Sequence, residues 1–437
     1  MSVQRIILTT TSFLPSFGYT LWRKQEQFLS SAASNTDVII QRRRTEYNDN
    51  NETNTASMDN GVISMNEISL SLNDGMCLKG QHFCYKKKYD NNNKCTIEEK
   101  ELLKRSLTKT EQGQSKSTAT ATSTTTKTKL KILAIHGWLD NCRSFHLLGP
   151  RLIEKFKGDA ELVAIDLPGH GWSSHRPIDG PSTILSEGAY YIAEILHELG
   201  WENDSNNGDD NDDGNDCEEN SNIALIGHSM GGGMAITYGG VFPNQISDIV
   251  SIDIYGPEPA KPEDTAFSIR NHVTQRRLSG PVGRRHALYP TLERCIKARQ
   301  KSAEKAPGGH QNISLEAATE LVARATIAVY NNYNSNVDND VDNDIPVGYK
   351  FRHDTRLLWP SLQYFSPDQI ESILKEVKCP VCIIAAEDGY PFSKDRIERV
   401  IQNLRPAVHK ILPGSHHLHA DTDKVDAVVD TIYNFLK

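Results

Sequence analysis

Apolar residues along this chain are gathered into short runs, and those runs alternate with segments of helical period and with long polar tracts. Residues 63–72 and 76–83 have strand character around Asn73-Asp74-Gly75, a sequence that favours a tight hairpin turn. A polar stretch ends in the Ser/Thr-rich run 115–128. Residues 130–135 then form a nearly continuous apolar run, interrupted only by Lys131. Helical material around 145–156 leads to a second apolar run at 162–165. Residues 181–199 read as an amphipathic helix, with Ile184, Leu185, Ile192, Ile195, Leu196 and Leu199 on recurring faces. Further strands are predicted at 223–226, 246–254, 381–385 and 409–412, and helices at 230–238 and 423–436. Runs without polar alternation suit strands covered on both faces, as in a parallel sheet. An opening hairpin followed by strand–helix alternation therefore predicts an α/β class fold, a mostly parallel sheet with helices on both faces.

The rhythm breaks over about 257–360. Helical pieces at 291–301 and 314–328 stand there without a buried strand pattern, which predicts a helical cap inserted into the sheet domain. The organisation expected is an N-terminal extension over 1–60 and one domain over 61–437, with polar inserts at about 91–129, 203–220 and 331–344. Ligands of open parallel sheets bind at the carboxyl ends of the strands. The first two inserts feed amino ends and should project away from that crevice. Only the third, inside the cap, could come near a substrate.

Composition refines this picture. The hydrophobic fraction is 38% and mean hydropathy is −0.51, low values that follow from dilution of a normal core by Asn-, Asp-, Ser- and Thr-rich tracts. The net charge of −8 is equally local, because residues 203–220 hold eight acids and no base. That leaves no basic balance to suggest nucleic acid as a partner. No apolar run reaches membrane-spanning length, so an integral span is not expected. Eight cysteines are scattered without a secretory signal ahead of them, which favours free thiols and an intracellular setting. Residues 1–45 are rich in Ser, Thr and Arg and poor in acids. They resemble an organelle transit peptide, with a disordered tail as the plainer reading, so the setting is cytoplasmic or organellar.

The candidate chemistry lies at strand ends. Gly227-His228-Ser229-Met230-Gly231 follows the run 223–226 and opens a Gly-rich helix. A serine on such a strand-to-helix elbow has a strained backbone and needs small flanking residues, so Ser229 is the candidate nucleophile. His136-Gly137-Trp138-Leu139-Asp140-Asn141 follows the strand 130–135, and the backbone N–H groups of Trp138 and Met230 are the candidate oxyanion hole. His136 reads as a residue that holds its loop by hydrogen bonding, and His170, in the turn Asp166-Leu167-Pro168-Gly169-His170-Gly171, as structural. The base must come late in the chain. His416, in Gly414-Ser415-His416-His417-Leu418-His419, is the choice and His417 the alternative base. Clustered histidines also suggest a metal, but no acid or cysteine completes a recognisable ligand spacing, so no metal is expected. Asp388, after the strand 381–385, is the preferred orienting acid, with Asp253 as the alternative acid at the end of 246–254. Cys379-Pro380-Val381-Cys382 enters a buried strand, not a helix amino terminus, and reads as core thiols without a redox role.

Together these motifs resemble the α/β-hydrolase superfamily, and more narrowly the serine hydrolase-like proteins. The likeness rests on His136 through Asn141 with Ser144-Phe145, on Asp166 through Ser174-His175, on Gly227-His228-Ser229, and on Arg352-His353-Asp354-Thr355-Arg356-Leu357. It covers roughly 62–437 apart from the polar inserts. It implies an α/β-hydrolase fold with a cap, Ser229 as nucleophile, and Asp354 and Arg356 as an ion pair closing the cap. Epoxide hydrolases and haloalkane dehalogenases are similar in outline but carry Asp at the elbow. The expected activity is a serine hydrolase, an esterase that cleaves a carboxylic ester of a small-molecule acyl substrate by a Ser-His-Asp catalytic triad, with no cofactor. Thioester, amide or C–C bond hydrolysis on the same triad, or a non-catalytic ligand-binding member of the fold, are the rival readings.

Overall fold

The computed structural model describes residues 61–87, 129–178, 185–202, 222–305, 311–330, 345–361 and 364–437. The N-terminal extension, residues 91–128 of the first insert, and the inserts at 203–220 and 331–344 lie outside the described residues.

An eight-stranded sheet forms the centre, with β1 (Gly61–Ser71), β2 (Cys77–Lys87), β3 (Leu130–Ile135), β4 (Ala160–Ile165), β5 (Ile223–His228), β6 (Asp248–Ile252), β9 (Val381–Asp388) and β10 (Val408–Ser415). Their order is β1-β2-β4-β3-β5-β6-β9-β10. The opening hairpin is antiparallel, as is its join to β4, and every later pairing is parallel. Side chains alternate across the sheet, so one strand feeds two cores. Leu133, Ile135, Val163, Leu225 and Ile383 face one apolar cluster, while Ile132, Ala134, Leu162, Ile226 and Ile384 face the other.

Helices cover both faces. On the first lie α2 (Leu185–Glu198), α3 (Met230–Val241), α7 (Pro367–Glu376) and α8 (Lys394–Leu404), and on the second α1 (Leu148–Phe156) and α9 (Val425–Leu436). Polar caps mark several starts. Ser366 and Gln369 form a reciprocal capping box at α7, and the Ser393 hydroxyl accepts the Arg396 N–H at α8.

Between β6 and β9 the chain leaves the sheet. This excursion contains α4 (Thr265–Ser279), α5 (Leu292–Glu304) and α6 (Leu315–Ala325), with caps from Thr291 at α5 and Ser314 at α6. It also contains β7 (Thr326–Val329) paired antiparallel with β8 (Gly348–Phe351), so the segment is not helical throughout. Four-residue strands separated by a long polar stretch carry too little period to be read from sequence. Cys77, Cys142, Cys295, Cys379 and Cys382 are free thiols, but Cys84 is disulfide-bonded, against the expectation of free thiols throughout.

Candidate active site

Strand register determines which residues meet at the carboxyl edge. His228 at the end of β5 pairs with Ile252 at the end of β6, so the chain leaves the sheet at one level at Ser229 and Asp253. Both next residues carry positive φ, 51° at Ser229 and 50° at Asp253, a region costly for residues with a Cβ. Ser229 is held there by its N–H, which donates to the Ile252 carbonyl at 2.9 Å. Close approach explains the glycines of the elbow. A Cβ on Gly227 would lie 2.3 Å from the Gly231 backbone, and one on Gly231 would lie 2.1 Å from the Ile135 carbonyl oxygen. Ser229 keeps 9% of its surface exposed.

A Cβ on Gly137 would lie 3.3 Å from the Ser229 Cβ, so the 136–141 loop passes directly over the elbow. Among the described residues no acceptor takes the backbone N–H of Trp138 or of Met230. The Trp138 ring N–H donates to the Leu357 carbonyl at 3.2 Å, tying this loop to the excursion. His136 is fully buried. Its Nδ1 bonds the Gly137 carbonyl at 2.7 Å and its Nε2 accepts the Leu167 N–H at 3.0 Å, which clamps two strand-end loops together.

His416 follows β10 and lies beside the elbow. Its ring centroid is 4.6 Å from that of His228, and its carbonyl accepts from His228 Nε2 at 2.8 Å. Its Nδ1 donates to Asp253 Oδ2 at 2.6 Å, which leaves Nε2 as the lone-pair nitrogen. Asp253 also accepts the backbone N–H groups of Ala386 and Tyr390, each at 2.9 Å. The acid beside the imidazole is therefore Asp253 and not Asp388, the residue preferred from sequence. Asp388 is exposed and still within β9, opposite Ser415. The chain on either side of it contributes N–H donors to Asp253, from Ala386 within β9 and from Tyr390 just past the strand, instead of a carboxylate to His416.

His417 and His419 turn the other way. His417 Nε2 lies 3.2 Å from Asp140 Oδ2, and His419 Nε2 bonds the Ser144 hydroxyl at 2.7 Å. The alternative base thus points into the protein, 5% exposed. Asp140 also accepts from Arg299 Nη2 at 2.6 Å and faces His228 Nδ1 at 3.6 Å. Burial alone would raise the Asp140 pKa, but Arg299, His417 and His228 together overcome it and hold the carboxyl well below the usual carboxylate range. Burial, then the neighbouring imidazoles, drives His228 well below the ordinary histidine value. His419 is driven down in the same way, and His417 is lowered chiefly by burial.

Asp140, His228 and His417 bring ligand atoms within 4.8 Å of one another, a metal-type donor set that sequence spacing did not reveal. The guanidinium of Arg299 already stands on it, 3.3 Å from His417 Nε2. Asp140 was visible within the 136–141 motif. Arg299, on the polar helix α5, carried no signal.

The other singled-out residues are structural in geometry. His170 is buried, bonds the Pro168 carbonyl at 3.0 Å, and is lowered to about 3 mainly by burial. Arg356 grips Asp354 and the carbonyls of Pro177 and Arg176, while the Asp354 N–H donates to Gly169 O at 2.8 Å. Burial pushes the thiols of Cys379 and Cys382 up to about 12, far from nucleophilic. Among the described residues no helix is long and apolar enough to cross a membrane.

The model of the alpha/beta hydrolase fold family matches residues 132–422. A Drosophila melanogaster protein named "Probable serine hydrolase" is 30% identical over 311 residues, covering 70% of this chain and 80% of its own. A Danio rerio "Serine hydrolase-like protein" is 27% identical over 316 residues, 70% of this chain and 81% of its own. Among solved structures, a hypothetical protein of Pseudomonas aeruginosa PAO1 superposes with a TM-score of 0.59 at 24% identity. It covers 85% of this chain and 98% of its own.

Proposed function

Because the chain belongs to the alpha/beta hydrolase fold family, we propose that it is a serine hydrolase that cleaves carboxylic esters through an acyl-enzyme at Ser229, with His416 as base and Asp253 as orienting acid. The observation that carries this reading is the 2.6 Å bond from His416 Nδ1 to Asp253 Oδ2, beside an elbow serine at φ 51°. With Nδ1–H engaged, His416 Nε2 takes the Ser229 proton as Oγ attacks the ester carbonyl. The carbonyl oxygen becomes an oxyanion, and the N–H groups of Trp138 and Met230 are the donors suited to it, since no protein acceptor competes for them among the described residues. His416 then returns the proton to the departing alkoxide. Water, deprotonated by the same nitrogen, releases the acid product and restores Ser229. Each step uses protein groups and water alone, so the reaction calls for no cofactor. Serine at the elbow favours acyl transfer over the alkyl-ester chemistry that an aspartate there would support.

The test is labelling by a fluorophosphonate together with turnover on a graded series of acyl esters. The wild type is expected to label and to hydrolyse esters. Ser229→Ala is expected to lose labelling and turnover on the order of 10⁶-fold, with its melting curve retained. An inert wild type, or labelling that survives Ser229→Ala, would overturn the reading. Thioester, amide or C–C substrates turned over faster than esters would move the reaction class while leaving the triad in place.

A further inference from the structure

The outer face of α4 and the turn after it stands apart from the rest of the described surface. From Thr265 to Thr291 the sequence holds Arg270, Arg276, Arg277, Arg284 and Arg285 and no Asp or Glu, within a chain of net charge −8. Arg270, Arg276, Arg277 and Arg285 are exposed, and none makes an ion pair among the described residues. Arg143, Arg299, Arg324, Arg356 and Arg396, by contrast, each answer a carboxylate. Aliphatic side chains lie among the unpaired arginines. Ile269, Val273, Leu278, Val282 and Leu288 are 45–65% exposed. Ile269, Val273, Arg276 and Arg277 recur at helical spacing, so the apolar and basic groups share one outward stripe. His272, Val273, Arg276, Arg277, Gly280 and Pro281 line an open cavity of about 490 Å³ on this face, and the Arg276 guanidinium stacks over Trp359 at 5.6 Å.

We propose that this face of the excursion docks on an anionic lipid bilayer. Exposed aliphatic groups among cations suit the headgroup–acyl boundary, where the arginines meet lipid phosphates and the aliphatic groups enter the apolar layer. Single-stranded nucleic acid would ask for several aromatic stacking platforms within the stripe. The exposed aromatic of α4, Phe267, stands two residues from Ile269 and so on another side of the helix, while Ile269 and Val273 within the stripe are aliphatic. α4 follows β6 in the chain, after the stretch that leaves the sheet at Asp253. Docking itself does not require chemistry at Ser229.

The experiment is co-sedimentation of the full chain with large vesicles of phosphatidylcholine alone or mixed with phosphatidylserine, at low and high salt. Binding to the phosphatidylserine vesicles, release at high salt and little binding to phosphatidylcholine are expected. Arg276→Glu/Arg277→Glu should weaken binding by about tenfold or more, since each basic group near an anionic surface accounts for roughly a fivefold effect. Ile269→Ser/Val273→Ser should weaken it as well, and Ser229→Ala should bind like the wild type. Melting curves of the variants check that the fold persists. No binding to either vesicle, or variants that bind as tightly as the wild type, would overturn the proposal. So would retention of an oligonucleotide or an acidic protein by this face while vesicles are ignored.

Discussion

Asp253→Asn and Asp388→Asn form a matched pair that separates the two candidate acids. In the wild type Asp253 Oδ1 accepts the Ala386 N–H, while Oδ2 accepts both the Tyr390 N–H and His416 Nδ1–H. An asparagine has one acceptor oxygen and one donor amide. With its oxygen at Oδ1, the amide faces the Tyr390 N–H and forces His416 into the tautomer protonated at Nε2. With its oxygen at Oδ2, the amide faces the Ala386 N–H instead. Either orientation sets donor against donor at a site 1% exposed, costing about 1–3 kcal/mol of stability. In the first orientation Nε2 can no longer accept the Ser229 proton. Loss of the correct tautomer costs a triad enzyme about 10⁴ in turnover, which is roughly 5.5 kcal/mol of transition-state stabilisation. Asp388 is exposed, so its asparagine variant should change stability by no more than about 0.5 kcal/mol and leave turnover near wild type. The assay is burst and steady-state kinetics on an activated ester, with thermal melts alongside. An inactive Asp388→Asn beside an active Asp253→Asn would refute the assignment, and equal activity in both would refute the need for an orienting acid.

Three further outcomes follow from the same geometry. A Cβ on Gly389 would lie 2.3 Å from Asp253 Oδ1, so Gly389→Ala should slow fluorophosphonate labelling at least about tenfold by displacing the acid; unchanged labelling would show that the loop can yield. Arg299→Ala strands the buried Asp140 carboxylate and should cost about 3–5 kcal/mol, with much of it recovered in Arg299→Met/Asp140→Asn; a melting curve unmoved by the single variant would remove Arg299 from the account. His170 and His353 are both lowered to about 3, chiefly by burial. Each is neutral in the folded chain while its unfolded counterpart, near 6.5, takes up a proton. Their stabilising effect is therefore whole above about pH 6.5 and is lost as pH falls towards 3, at about 1.4 kcal/mol per pH unit for each histidine. Denaturant midpoints measured from pH 7.5 to 4.5 should fall steeply below 6.5, and a flat profile would contradict the burial of these imidazoles as neutral groups.

What could be read from sequence was local in origin. β3 is an apolar run broken only by Lys131, β5 opens with the unbroken run Ile223-Ala224-Leu225-Ile226, and the strain at Ser229 is announced by Gly227 and Gly231, neighbours that the backbone itself requires. β7 and β8 left no trace, because four residues give no period and their partner lies beyond a polar tract. The three late histidines looked equivalent. A turn sends His416 to Asp253 and the other two inward to Asp140 and Ser144, and no spacing rule encodes that division. The choice of acid shows the limit most clearly. Asp253 and Asp388 are the same residue type at the ends of neighbouring strands, so residue type and strand position cannot rank them. Backbone geometry does: at φ 50° Asp253 leaves its strand into the N–H groups of Ala386 and Tyr390, while Asp388 continues along β9 into solvent. The acid is selected by the donors that surround a carboxylate once the sheet has formed, and those donors, Ala386 and Tyr390, flank the competing aspartate at the end of its own strand.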